Sequence, residues 1–457
     1  MKEVELVPDA RNLMESTRSI GYSLPAAVAD VIDNSVAAEA SCVEVWTPTT
    51  SEPRLLILDD GTGMDMEGLH AAMRYGSRFM TDERRDGDLG RFGLGLKMAS
   101  LSQCRSLTVV SKKAGGELVG ARWDLDHIAA SSRQWALQLL EEKELAEITW
   151  REKLDERPSG TLVIWEKLDV MLMGIHEDGQ SEVLLRRMEE LKSHLALVFH
   201  RYLAGEAGED FRILFNNDAV KPADPFLEKR SQRPFAPDTF RLGESTVVLE
   251  PFVLPHPNKL TDDERSFAGD LKKEQGFYVY RNKRLVIWGT WFRLSRKFSL
   301  SKLARVKVDI PASVETDRMW SLDVKKSSAV IPEELREALR NVVEKLSERS
   351  GNVWRRRARV EKKDGNPVWI RTRHDDKSVS YVVNDENELV AAFLKRFPAA
   401  RTLLRLVETK LPLDALYSDL DGDYSVDAGR EDVEKMIREL EALGLDTTVL
   451  KRDMKRR

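Results

Sequence analysis

The sequence predicts an α+β protein with mixed sheets, and three observations carry that prediction. Over residues 1–170, stretches with helical apolar spacing alternate with short apolar runs of strand type. Several of those runs follow one another across short links, which suits a mixed sheet better than a doubly wound parallel one. After a long amphipathic stretch at 180–204 a second set of strand-like runs appears, and the chain closes in a mainly helical pattern. The chain has 457 residues, enough for about three domains of ~150 residues each. The expected divisions are 1–175, 176–332 and 333–457.

"LPAAVADVIDNSVAAEA" (24–40) places Leu24, Ala27, Val28, Val31 and Ile32 at helical spacing. "CVEVWT" and "PRLLILDD" read as strands, and "MEGLHAAMRYG" as a helix. "DLGRFGLGLKMASLSQC" is a Gly-rich loop that runs into a helix, followed by strands in "SLTVVSKK", "ELVGARWDL" and "GTLVIWEKL". The second set comprises "FRILFNN", "STVVLEPFVL", "GFYVYRNKRLVIWG" and "ARVKVDIP". A helix at 332–363 ends in a basic run, and a short strand "SVSYVVND" and at least two helices follow. One of those helices is "REDVEKMIRELEALG", with Val433, Met436, Ile437 and Leu440 on one face and Gly444 as its stop.

Bulk properties exclude several classes. A net charge of −5 rules out a polycation, so any nucleic-acid contact must come from a local basic patch. The two cysteines, Cys42 and Cys104, form no C-x-x-C pair, which argues against structural zinc and for a reducing compartment. The start lacks an apolar signal core, and no apolar run reaches the ~18 residues of a membrane span. A cytoplasmic protein without a membrane segment is expected.

Four motifs carry chemistry. Asp30 and Asn34 are four residues apart and share a helix face away from the apolar one. An amide oxygen beside a carboxylate suits a divalent ion near phosphates, and the same pair also suits a solvated helix face. In "LLILDDGTGM" a carboxylate at a strand end can accept from an exocyclic amine such as adenine N6, while Gly61 and Gly63 allow a tight turn. "GDLGRFGLGLK" spaces Gly90, Gly93 and Gly95 ahead of a helix, where backbone N–H groups can cradle phosphates. That loop lacks the Gly-Lys-Ser/Thr of a Walker A sequence and is not a dinucleotide fingerprint. Finally, "PSGTLVIW" puts the Thr161 hydroxyl where it can reach the adenine-binding carboxylate or a bridging water.

The order of these motifs over residues 24–165 resembles the GHKL ATPases: DNA gyrase B subunits, MutL, the ninety-kilodalton heat-shock chaperones, histidine kinases and the MORC proteins. That family runs acid-x-x-x-Asn, then D-x-G-x-G, then a lid with G-x-x-G-x-G, then G-T on a late strand. The resemblance implies an N-terminal ATPase sandwich of Bergerat type, with Asp30 as general base and Asn34 as the Mg²⁺ ligand. It implies that Asp59 binds the adenine amine, with Gly61, Gly63 and Met64 shaping the pocket and Thr161 supporting Asp59. ATP phosphates would be met by Gly90, Phe92, Gly93, Leu94, Gly95, Leu96 and Lys97, under a lid at 76–93. Two departures stand out. The family's base is commonly Glu, whereas Asp30 is one methylene shorter, which predicts slow turnover. The family often has Asp three residues after the Asn, whereas this chain has Ala37.

"GFYVYRNKRLVIWGTW" (276–291) resembles the transducer strand of MORC-like and MutL-like proteins, a domain of the ribosomal-protein-S5-like kind. "WSLDVKKSSAVIP" (320–332) resembles that domain's end, where a lysine reaches the ATP γ-phosphate; Lys326 is the first candidate and Lys325 the second. Together the motifs look most like bacterial MORC-like proteins. That resemblance implies an ATP-dependent homodimeric clamp acting on DNA, in defence against foreign DNA. A chaperone-like ATPase with protein clients and a nucleotide-sensing scaffold with little turnover remain alternatives. Arg355, Arg356, Arg357 and Arg359, beside Trp354, fit a phosphate-contacting patch or a solvated helix end. "DLDGDYSVDAGR" (419–430) fails as a calcium loop, with Tyr424 at the sixth position and Arg430 at the twelfth.

Overall fold

The computed structural model describes residues 3–4, 6–19, 21–48, 53–75, 95–131, 135–171, 177–208, 210–295, 297, 301–321, 329–360, 368–373, 379–409, 438–439, 441–442, 444 and 447. The chain forms two compact units, the first holding 1–297 and 301–350 and the second the residues from 351.

The first unit opens with helices α1 (Ala10–Arg18) and α2 (Leu24–Ala37) and strands β1 (Cys42–Trp46) and β2 (Leu55–Asp59). Helices α3 (Met66–Met73) and α4 (Gly95–Leu101) and strands β3 (Ser106–Lys112) and β4 (Leu118–Asp124) follow. Short pieces come next: α5 (Leu125–Ala130), β5 (Gln138–Leu139), α6 (Glu142–Ala146) and α7 (Arg151–Asp155). Then come β6 (Gly160–Glu166), the long α8 (Glu177–Val198), α9 (His200–Leu203), β7 (Arg212–Phe215) and β8 (Asp218–Ala219). The strands make one mixed eight-stranded sheet in the order β5-β4-β3-β6-β2-β1-β7-β8. Only the β1–β7 pair in it is parallel.

Strand β2 shows why "LLIL" is continuously apolar. Leu55 and Ile57 face the core under α2 and α8, with Val28, Val31, Leu191 and Leu195. Leu56 and Leu58 face the opposite core with Val110, Leu162 and Ile164, near Leu145 of α6 and Leu154 of α7. A strand covered on both faces has no solvent side to keep polar. Helix α2 starts where Ser23 accepts from the Ala26 amide, with Pro25 in the first turn. It stops at Ala37, short of the expected residue 40, and Glu39 takes a left-handed φ of 59°.

The second sheet begins at β9 (Asp238–Leu242) and β10 (Ser245–Val253), followed by α10 (Asp262–Ala268). Strands β11 (Gly276–Arg281), β12 (Arg284–Thr290) and β13 (Ala304–Ile310) complete it in the order β12-β11-β13-β10-β9, and α11 (Val314–Met319) follows. The β11–β12 turn has positive φ at both Asn282 and Lys283 (48° and 65°), the geometry of a type I′ hairpin. Phe226, Phe252, Tyr278, Tyr280 and Leu285 form its aromatic core, against which Leu197 of α8 packs. Helix α8 thus serves both sheets.

Helix α12 (Glu333–Val360) leads on to the hairpin β14 (Trp369–Arg373) and β15 (Val379–Val383), then α13 (Glu388–Arg396) and α14 (Ala400–Thr409). The predicted mixed α/β architecture is what is observed. One detail differs from the sequence expectation: β7 and β8 join the first sheet, so that sheet reaches residue 219, past the expected division at 175. Among the described residues no helix is long and apolar enough to cross a membrane.

Candidate functional site

The site is built where α2 lies across the end of β2. Between Ala27 and Ser35 every α2 residue is buried except Asn34, which is exposed. The Asn34 amide nitrogen donates to the Asp30 carbonyl at 3.0 Å, so its amide oxygen is the atom left for a ligand. Asp30 is not on a solvated helix face. It is 5% exposed, accepts from the Tyr22 hydroxyl on Oδ2 at 3.0 Å, and has the Arg284 guanidinium 3.8 Å from Oδ1. The adjacent Asp33 is buried too and accepts from Arg284 Nε at 3.1 Å.

One residue after Asn34, Ser35 donates to Asp59 Oδ2 at 2.8 Å and so ties α2 to the strand end. Asp59 Oδ1 accepts from the Gly61 amide at 3.0 Å and the Thr161 amide at 3.1 Å. Thr161 was expected to use its hydroxyl. Its antiparallel register opposite Asp59 presents the main-chain N–H instead, and the hydroxyl lies 2.9 Å from Ser111 Oγ. Burial pushes the Asp59 carboxyl above its ordinary 3.8, against the pull of its three donors. Asp60 points elsewhere. It accepts from the Ser41 amide and hydroxyl and the Cys42 amide, clamping the start of β1.

The glycines of "DDGTGM" are demanded by close approach. A Cβ on Gly63, whose φ is +65°, would lie 1.9 Å from the Lys112 carbonyl oxygen. A Cβ on Gly61 would lie 2.8 Å from the Ala38 carbonyl oxygen and 2.9 Å from Ala38 Cβ. Ser111 locks the turn from below, accepting from the Met64 amide at 2.8 Å and donating to the Gly160 carbonyl at 2.9 Å. Because its clash is with backbone, Gly63→Ala is expected to cost at least about 2 kcal/mol of stability. A denaturant unfolding curve would show it, and a wild-type midpoint would contradict the packing described.

The remaining sequence candidates divide plainly. Gly95, Leu96 and Lys97 open α4. Lys97 is buried and donates from Nζ to the Ala72 carbonyl at 2.7 Å. Gly90, Phe92, Gly93 and Leu94 lie outside the described residues, as do Lys325, Lys326 and the whole of the expected lid, 76–93. Arg355, Arg356, Arg357 and Arg359 fall on α12, but their side chains are outside the description. Sequence reasoning missed Tyr22, Ser35, Ser111 and Arg284. Ser35 and Arg284 stood inside quoted motifs, "DNS" and "YRNKR", whereas Tyr22 and Ser111 carried no local signal.

Among the described residues no group of three or more His, Cys, Asp or Glu could hold a metal by itself. An exposed amide oxygen above a buried carboxylate does suit a hard cation that takes its other ligands from phosphate and water. A family model described as "Histidine kinase-, DNA gyrase B-, and HSP90-like ATPase" matches residues 22–161. That span holds α2, β2, the glycine turn and Thr161, and it identifies a GHKL-type ATPase domain there. No curated protein matches the chain. Among solved structures the chain is similar to one titled "Crystal Structure of N terminal domain of a DNA repair protein". The identity is 14%, covering 76% of this chain and 99% of that one, with a TM-score of 0.45.

Proposed function

We propose that this chain is a Mg²⁺-dependent ATPase that works as an ATP-driven homodimeric clamp on DNA. The observation that carries the nucleotide reading is the Asp59 carboxylate. Three of its roughly four acceptor positions are filled by Ser35, Gly61 and Thr161, which leaves one for an exocyclic amine. Gly61 and Gly63 let the turn pack tightly against Ala38 and Lys112, and the Gly61 amide then fixes the Asp59 oxygen that faces it.

In this reading the Asn34 amide oxygen holds Mg²⁺. Bound there, the ion would supply positive charge to offset that of the phosphates. Asp30 takes a proton from the attacking water, with the Tyr22 hydroxyl fixing one of its oxygens. Gly90, Phe92, Gly93, Leu94, Gly95, Leu96 and Lys97 supply the phosphate cradle, and Lys326, or failing it Lys325, senses the γ-phosphate. The working division is an ATPase domain at 1–175, a transducer-like domain at 176–332 and a C-terminal region from 333, with β7 and β8 of the second segment completing the first domain's sheet. An Asp base reaches less far than a Glu, so turnover is slow.

The clamp and its DNA target rest on the resemblance of "YRNKRLVI" to MORC-like transducer strands and on the arginine run at 355–359. ATP must favour the closed dimer over the open monomer; swinging such an equilibrium from 1:99 to 99:1 needs about 5.5 kcal/mol of differential binding. The expected result is an ATPase rate raised severalfold by duplex DNA at low salt and much less at high salt. Light scattering should show a doubled mass with a non-hydrolysable ATP analogue. A monomer under all conditions, with no DNA stimulation, would remove the clamp and reopen the protein-client reading.

A further inference from the structure

Asp30 and Asp33 are a helical turn apart on α2, and both are buried. The cation that faces them comes from the other sheet. Arg284, the first residue of β12, is 4% exposed and separated from Asp33 by 251 positions. Its Nε donates to Asp33 Oδ1 at 3.1 Å, its Nη1 donates to the Leu285 carbonyl at 2.7 Å, and its Nη2 lies 3.8 Å from Asp30 Oδ1. The guanidinium carbon sits 5.7 Å from the centre of the Phe199 ring. Burial and the neighbouring guanidinium hold the His194 imidazole down at about 3, so that ring adds no charge to the cluster.

The hairpin that delivers Arg284 is itself fixed. Tyr202 donates from its hydroxyl to the Asn282 carbonyl at 2.8 Å, and Lys283 donates to the Glu206 carbonyl. On the preceding strand Arg281 grips Asp317 through two bonds, at 2.8 and 3.1 Å. These bonds fix where the second sheet delivers the guanidinium. Asp33 fixes its near edge, and its far edge faces the carboxylate that the chemistry needs.

We propose that Arg284 is a positioning residue, through which the second sheet sets where the Asp30 carboxylate points. The inference rests on the reading of Asp30 as the base. A short Asp makes that orientation matter, because a misplacement of about 1 Å can cost about 100-fold in rate. Asp30 is held from two sides by groups far apart in origin: Tyr22 from the segment before α2, and Arg284 from the second sheet. A shift of the second sheet then changes the base without any change in the adenine-binding end, where Asp59 contacts none of these groups.

The test compares full-length wild type with Arg284→Lys and Arg284→Gln. Two quantities are measured: affinity for a non-hydrolysable ATP analogue with Mg²⁺, and kcat for ATP. Arg284→Gln is expected to lower kcat by about 100-fold with affinity held within about threefold. Arg284→Lys, which keeps the charge but not the fork, is expected to recover part of that loss. Wild-type kcat in both variants would overturn the proposal, and so would a parallel fall of kcat and affinity, which marks a merely structural ion pair. If Arg284→Gln fails to fold, Arg284→Lys decides alone: lowered kcat at wild-type affinity supports the proposal, and unchanged kcat overturns it. Wild type that neither binds nor hydrolyses ATP would instead sink the ATPase reading, and this inference with it.

Discussion

Asp59→Asn is expected to weaken adenine-nucleotide binding by about 100-fold or more while leaving the fold intact. The two oxygens of Asp59 have unequal neighbours. Oδ1 accepts from two backbone amides, of Gly61 and Thr161, which cannot reverse their polarity. Oδ2 accepts from the Ser35 hydroxyl, which can rotate to accept instead. An Asn side chain will therefore keep its oxygen toward the amides and turn its NH₂ toward Ser35 and the base. A donor then meets the exocyclic amine where an acceptor is needed. A hydrogen bond to a charged group is worth about 1.5–3 kcal/mol, and 1.4 kcal/mol is tenfold in affinity. Stability should not suffer. Burial raises the folded-state pKa of Asp59 above 3.8, so its contribution to stability falls as pH rises from about 3.8 through the folded value. The neutral amide removes that penalty at pH 7. A variant that binds ATP as wild type does would show that Asp59 is not the adenine acceptor.

Asp30→Ala is expected to keep nucleotide binding and to lose turnover by a factor of about 10² to 10⁴, the usual worth of a general base. The loss should appear in kcat rather than in affinity, because the adenine acceptor and Asn34 are untouched. Some structural cost accompanies it. The Tyr22 hydroxyl loses its Asp30 partner, while Arg284 keeps Asp33. Losing that buried hydrogen bond costs about 1 kcal/mol, so Asp30→Asn, whose amide oxygen can still accept from Tyr22, is the gentler companion variant. Single-turnover assays alongside melting curves separate the two effects. Normal hydrolysis by either variant would reassign the base.

How much of this was legible in sequence depends on how local the cause was. Strand β2 was legible because both of its faces are covered, which writes an unbroken apolar run. The weak pattern of β9 was not, since four of its five residues are at least partly exposed and it pairs only with β10 at the edge of its sheet. At the site, the i, i+4 spacing of Asp30 and Asn34 put both on one helix, but the spacing could not say that Asp30 would be buried. Its burial comes from Tyr22 and from Arg284, a residue of another sheet. The preference for Asp59 over Asp60 followed from the distance to Gly61, and Asp60 does turn away to clamp β1. Which atom of Thr161 would serve Asp59 was not legible, because strand register decides between hydroxyl and amide.

The central claim is that the end of β2 and the polar positions of α2 form the two walls of one ATP pocket. A calorimetric titration of the full chain with a non-hydrolysable ATP analogue and Mg²⁺, run on wild type and on Asp59→Asn, tests it most directly. One nucleotide bound per chain by wild type, and binding weakened by about 100-fold or more in the variant, is the predicted result. No binding by wild type, or equal binding by both, would contradict it.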